Sequence, residues 1–200
     1  MKKKILSILA VIAVLSGITA LAVNQIAAQP KEPPAYKYRE WGEIDAQAQQ
    51  YTPRVEKNVI TIASQQIDAL EKAAHLFGIS YSRQDAVDAI VRRETLYLTA
   101  LREGYTVSDE EIDAHVQLQI DSSSKAQNSD IFNEYFIGYG KSLEEYWKDQ
   151  RDMLAKDLLA GRYMEDRLPQ SYSQNDEQAR DSMKRKLEED ARSAFEIVIE

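Results

Sequence analysis

The chain of 200 residues contains no cysteine. That absence removes a disulfide framework, a zinc–thiolate centre, a thiol nucleophile and a lipid-modified N-terminal cysteine. Basic charge is also scarce: 25 Lys and Arg face 33 Asp and Glu, a formal net charge of −8. The first 30 residues hold three lysines and no acid, so 22 basic side chains stand against 33 acidic ones in the remainder. Nucleic-acid binding draws most of its affinity from basic side chains on phosphates, and this balance argues against it. Chemical motifs are missing as well. There is no G-x-S-x-G, P-loop, G-x-G-x-x-G or H-E-x-x-H, and Gly138-Tyr139-Gly140-Lys141-Ser142 lacks the upstream glycine and strand of a phosphate loop. No catalytic, cofactor-binding or metal-ligating residue is assigned, and enzymatic activity is not expected.

Proline is confined. Four of the five prolines (Pro30, Pro33, Pro34, Pro53) fall within residues 24–57, and none lies between Arg54 and Leu168. The first stretch reads as a linker, the second as the body of a helical domain over residues 58–200. With 44% hydrophobic residues the chain has enough apolar material for one core.

Before the linker, Lys2, Lys3 and Lys4 precede Ile5–Val23, an apolar run broken only by Ser7, Ser16, Gly17 and Thr19. As a helix it would reach about 28 Å, close to the hydrocarbon thickness of a bilayer. Ala20-Leu21-Ala22 equally offers a signal-peptide cleavage site. Residues 1–23 thus read as a signal anchor or a cleaved signal. In both cases the domain is expected on the extracytoplasmic side of a bacterial cytoplasmic membrane, tethered through residues 5–23 or secreted.

The domain reads helix by helix. Apolar residues at Ala63, Ile67, Leu70, Ala74 and Phe77 mark one helix face, capped by Gly78. Ser82 with Asp85 opens a second helix bearing Val87, Ile90, Val91, Leu98 and Leu101, ended by Gly104. Ser108-Asp109-Glu110-Glu111 opens a third, to about Ile120; its acids suit the positive helix end without any further role. His75 and His115 fall on different helices, with no metal-ligand spacing. After a polar loop over 121–129 come a short helix over 131–139 and a long one from Ser142 to Leu168, then a charged helix over 176–193. Phe195, Ile197 and Ile199 alternate with Glu196, Val198 and Glu200, which is the period of a strand. Its expected partner is Val59–Ile62, because a lone strand leaves its backbone groups unpaired. The expected fold is all-α, five to six helices, with a minor two-stranded pairing of the domain's ends.

Aromatic residues crowd one region: Phe132, Tyr135, Phe136, Tyr139, Tyr146 and Trp147. Tyrosine and tryptophan give large amphipathic contact area at low entropy cost, so these six are candidate residues for binding polypeptide. The competing reading is that they fill the junction between two helices.

The stretch Asp88–Leu98 followed by Ala100–Asp113, with Gly104 and Ser108-Asp109-Glu110-Glu111 inside it, resembles the N-terminal chaperone domain of the SurA and PrsA type envelope foldases. Phe132 through Gly140-Lys141-Ser142-Leu143-Glu144-Glu145-Tyr146, and Val59-Ile60-Thr61 before the first helix, are similar to further pieces of that family in the same order. The resemblance spans residues 59–168. It implies a holdase or assembly factor for unfolded or exported polypeptides, with a homodimer compatible. In that family a parvulin-type prolyl-isomerase domain separates the long helix from the closing segment; here only residues 169–175 stand there, so isomerase activity is not inherited. Two alternatives stay open: a non-catalytic envelope scaffold with one dedicated partner, and a residual prolyl isomerase. An open groove between the second, fourth and fifth expected helices would favour chaperoning, and a filled one the scaffold.

Overall fold

A computed structural model describes residues 33–124, 129–168 and 174–200. The apolar run Ile5–Val23 lies outside these residues; among the described ones no helix is long and apolar enough to cross a membrane. The described chain is mostly helical, with eight helices and one small sheet.

The first helix, α1 (Ala35–Ala48), corrects the linker reading of residues 24–57. Tyr38, Trp41 and Ile44 are at most 3% exposed and belong to the main core. Pro34 stands at the N-cap, a position where a missing N–H costs nothing. A tight hairpin follows. β1 (Arg54–Glu56) pairs antiparallel with β2 (Val59–Ile62) around Lys57-Asn58, with Lys57 at φ 55°.

The helices α2 (Ser64–Leu76), α3 (Arg83–Arg102) and α4 (Asp109–Ser124) match the first three expected, α4 running four residues further. The start of α3 is a capping box: the Asp85 N–H donates to Ser82 Oγ at 3.2 Å, and Asp85 Oδ2 accepts from the Ser82 N–H at 2.8 Å. Ser108 with Glu111 repeats the reciprocal pair at the start of α4. Leu101 departs from its expected apolar face and is 45% exposed.

Then come α5 (Ser129–Tyr139), α6 (Leu143–Asp149), α7 (Arg151–Arg167) and α8 (Gln174–Ser193). The single long helix expected from Ser142 is two, interrupted at Gln150. Gln150 is buried, and its side-chain amide donates to the Tyr139 hydroxyl while accepting from Gln49, so polar packing turns the backbone there.

The expected pairing of the domain's ends is present. β3 (Glu196–Ile199) runs parallel to β2, with Ile60 beside Ile197 and Ile62 beside Ile199. Because β1 adds a strand, the sheet is three-stranded, order β1-β2-β3, rather than two-stranded. The apolar interior falls into two clusters. The larger joins the sheet to α1, α2, the first half of α3, α5 and α6, with Val116 of α4 and Leu154 at the start of α7; the smaller joins the second half of α3 to the rest of α7 and α8 through Leu96, Ala100, Leu159, Tyr163, Met164 and Ala191.

Candidate functional site

The aromatic candidates are core. Tyr135, Phe136, Tyr139, Tyr146 and Trp147 are between 0 and 9% exposed. They pack mostly edge to face on one another, with Tyr139 and Tyr146 ring centroids 4.7 Å apart and Tyr135 and Tyr146 5.8 Å apart, while Tyr135 and Tyr139 stack. This corrects the reading of these five as contact residues for a client: the junction is filled. Phe132 lies on α5, its side chain outside the described residues.

One carboxylate is sunk into this aromatic layer. The Tyr135 hydroxyl donates to Asp45 Oδ2 at 2.5 Å, and Tyr146 Oη stands 3.4 Å from Tyr135 Oη. Asp45 forms no ion pair among the described residues. Burial pushes its carboxyl up to about 7, against the smaller downward pull of the Tyr135 hydrogen bond. The same burial holds the Tyr135 and Tyr146 hydroxyls well above the ordinary tyrosine range, so both remain protonated donors.

Asp45 also forms part of the wall of a cleft of about 290 Å³ between the end of α1, the segment Gln49–Pro53, α2, α3 and the α6–α7 junction. Its apolar floor is Leu70, Ile90, Ala89, Ala48 and Met153. Its polar wall is Gln49, Gln66, Arg93, Glu94, Gln150 and Lys156. Glu94 is only 1% exposed and is held by Lys156 Nζ at 2.8 Å, with Arg93 Nε at 3.7 Å. A buried carboxylate needs such partners, since desolvating it alone costs several kcal/mol, on the order of the whole net stability of a small domain. Just behind, on α7, burial pushes the Asp157 carboxyl up to about 6, partly offset by Arg93.

Two atoms of this wall are left over. Gln66 Oε1 is a buried acceptor and Arg93 Nε a buried donor without a hydrogen-bond partner among the described residues. Both atoms are covered by the fold; what the cleft offers a ligand is its lining, Gln49, Thr52 and Lys156 beside apolar Leu70, Ile90 and Met153, which suits a ligand that carries donors and acceptors together with apolar side chains. A polypeptide backbone is such a ligand. The wall holds no cluster of three or more His, Asp or Glu arranged for a metal ion, and none occurs elsewhere among the described residues.

Sequence reasoning missed this cleft. One signal was legible: Glu94 falls between Ile90 and Leu98 at helical spacing, a charge set in the apolar stripe of α3. Gln49, Gln66, Gln150 and Lys156 gave none, being brought to the cleft from three separate segments.

The fold and site define a mostly helical domain with a small mixed sheet and a polar-walled cleft. Compared with known proteins, the chain matches no family profile, no curated protein and no solved structure.

Proposed function

We propose that this chain is an extracytoplasmic, membrane-tethered, chaperone-like protein that binds unfolded or extended polypeptide, and that the cleft between α1, α2, α3 and α7 is where it does so. The observation that carries the reading is the cleft itself, polar along Gln49, Glu94 and Lys156 and apolar at Leu70, Ile90 and Met153. The volume lies near the lower end of ligand sites, at about 300 Å³, which fits one or two side chains of an extended segment rather than a folded surface. The resemblance of residues 59–168 to the SurA and PrsA chaperone domain and the Lys2–Val23 leader pattern support the same reading. No step of it requires catalysis.

The test is suppression of aggregation of a heat-unfolded client, measured by light scattering. Suppression is expected from the natural chain and not from Ala89→Trp, which fills the cleft from its α3 side while leaving the melting temperature in place. No suppression by the natural chain at stoichiometric excess would overturn the proposal.

The filled aromatic junction favours a second reading, a scaffold docking one dedicated folded partner. Affinity capture yielding one dominant folded protein, undiminished by Ala89→Trp, would select it. A residual prolyl isomerase has no structural feature in its favour.

A further inference from the structure

The sheet ends in an open edge. β3 is the outermost strand, and among the described residues no other strand pairs with its far side. The Glu196 N–H donates to the Asn58 carbonyl at 2.8 Å and the Glu200 N–H to the Ile62 carbonyl at 3.0 Å. In a parallel ladder alternate residues bond to one neighbour, so Glu196, Val198 and Glu200 face β2. The N–H and C=O groups of Ile197 and Ile199 therefore point to the free side. Ile199 is 46% exposed, and Ile197 lines a shallow hollow beside the edge with Phe195, Ser193, Glu189 and Arg192.

Proteins usually blunt such an edge by keeping it short or with charges, a proline or a bulge. β3 is short and flanked by Glu196 and Glu200, but no proline, charge or bulge interrupts it at Ile197 or Ile199. Water bonds these exposed groups in the free protein, and another extended backbone can take its place. A second copy of this chain fits poorly: antiparallel self-pairing centred on Val198 would set Glu196 opposite Glu200 of the other copy. Four residues also give an edge of only about 13 Å, whereas a stable folded interface buries about 800 Å² per partner.

We propose that the free edge of β3 accepts an extended polypeptide segment as a fourth strand, its backbone bonded to Ile197 and Ile199 and one apolar side chain seated in the hollow beside Phe195. The hollow and the edge share no residue with the cleft lining, so this surface stands whether or not the cleft binds. Strand addition of this kind takes affinity from main-chain bonds and selects side chains only at alternate positions, which makes it tolerant of sequence.

The experiment is residue-resolved amide exchange on the full-length chain, with and without an acetylated, amidated hexapeptide alternating valine and threonine. In the free protein Val198 is expected to be protected and Ile197 and Ile199 to exchange freely. Saturating peptide should slow Ile197 and Ile199 and leave Val198 unchanged. Ile199→Pro removes one outward N–H and no bond to β2, and should weaken peptide affinity about fivefold, the fold-change of one net backbone hydrogen bond. If that variant does not fold, the same peptide N-methylated at alternate residues replaces it, with the same loss expected. Unchanged exchange under saturating peptide would overturn the proposal. So would protection of Ile197 and Ile199 in the dilute free protein, which assigns the edge to the chain itself, or protection that grows with concentration alongside a dimer mass, which assigns it to a second copy.

Discussion

Helices α1 and α5 touch backbone to backbone, and two glycines allow it. A Cβ on Gly42 would stand 2.7 Å from the Tyr139 nitrogen and closer still to the Tyr135 carbonyl oxygen. A Cβ on Gly138 would stand 2.8 Å from the Arg39 carbonyl carbon and closer still to its oxygen. Neither neighbour is a side chain that could rotate away, so Gly138→Ala must force the helices apart. That seam carries the Trp41–Tyr135 edge contact at 5.5 Å and the buried Tyr135–Asp45 hydrogen bond. Overpacking costs about 1–3 kcal/mol even where side chains can yield, and the upper end applies here. Against it stands the gain from replacing a helical glycine by alanine, about 1 kcal/mol. The net loss is about 2 kcal/mol, a fall in melting temperature of roughly 4–8 °C for a domain of this size. Gly161, on α7, supplies the control, because nothing lies within 4 Å of a Cβ built there. Gly161→Ala should realise the helix gain alone and raise the melting temperature by about 2–4 °C. Circular dichroism melts of the two variants decide the matter: if both shift in the same direction, the close approach of α1 and α5 does not govern stability.

Asp45 predicts a pH dependence. Its folded carboxyl titrates near 7 against an ordinary 3.8, so the unfolded chain ionises first as pH rises and this group's contribution is full at acid pH, lost between about 4 and 7, and constant above. Asp45→Asn keeps an acceptor for Tyr135 and removes the titration; the stability of the natural chain relative to this variant should therefore decline from pH 4 to 7, and a flat difference in urea melts would refute it. Lys156→Met strands the Glu94 carboxylate, 1% exposed, with only the longer Arg93 contact, and should cost about 3 kcal/mol. Adding Glu94→Leu should recover most of that loss; equal urea midpoints for the single and double variants would count against a desolvated pair.

The helices were legible where chemistry marks their ends. Ser82 with Asp85, Ser108 with Glu111 and Ser142 with Glu145 bond as capping pairs, and Gly78, Gly104 and Gly140 take the positive φ that ends a helix. The pairing of β2 with β3 was legible because two-residue alternation has few other uses. α1 was not, since Pro33 and Pro34 suggested a linker although proline at a helix start is no obstacle. Its apolar residues, Tyr38, Trp41 and Ile44, recur at a regular spacing of three within a segment of low mean hydropathy. β1 was hidden because Arg54, Val55 and Glu56 are all exposed and its turn lacks the usual Asn-Gly. The aromatic cluster was seen, but crowding in sequence serves a filled junction as well as a binding surface; only burial separates the two.

The position of the cleft follows from how α3 is shared. Its residues from Ala86 to Val91 enter the larger apolar cluster, and Leu96 and Ala100 enter the smaller. Glu94 lies between these sets and bonds across to Lys156 on α7, at the seam between the two clusters. A polar pair is less costly there than inside either core, and it ties α3 to α7 in one register. The same seam leaves the space that Leu70, Ile90 and Met153 floor. A ligand entering at a seam displaces no core side chain and so meets little of the penalty that opening a packed interior would impose. The cores on either side hold the wall residues in place before binding, so little further ordering is needed when a ligand arrives. Apart from Asp45 and the Glu94–Lys156 pair, which serve both, stability and binding are therefore separable in this molecule. Substitutions at Gly42 or Gly138 should act on the first, and cleft-filling substitutions at Ala48 or Ala89 on the second.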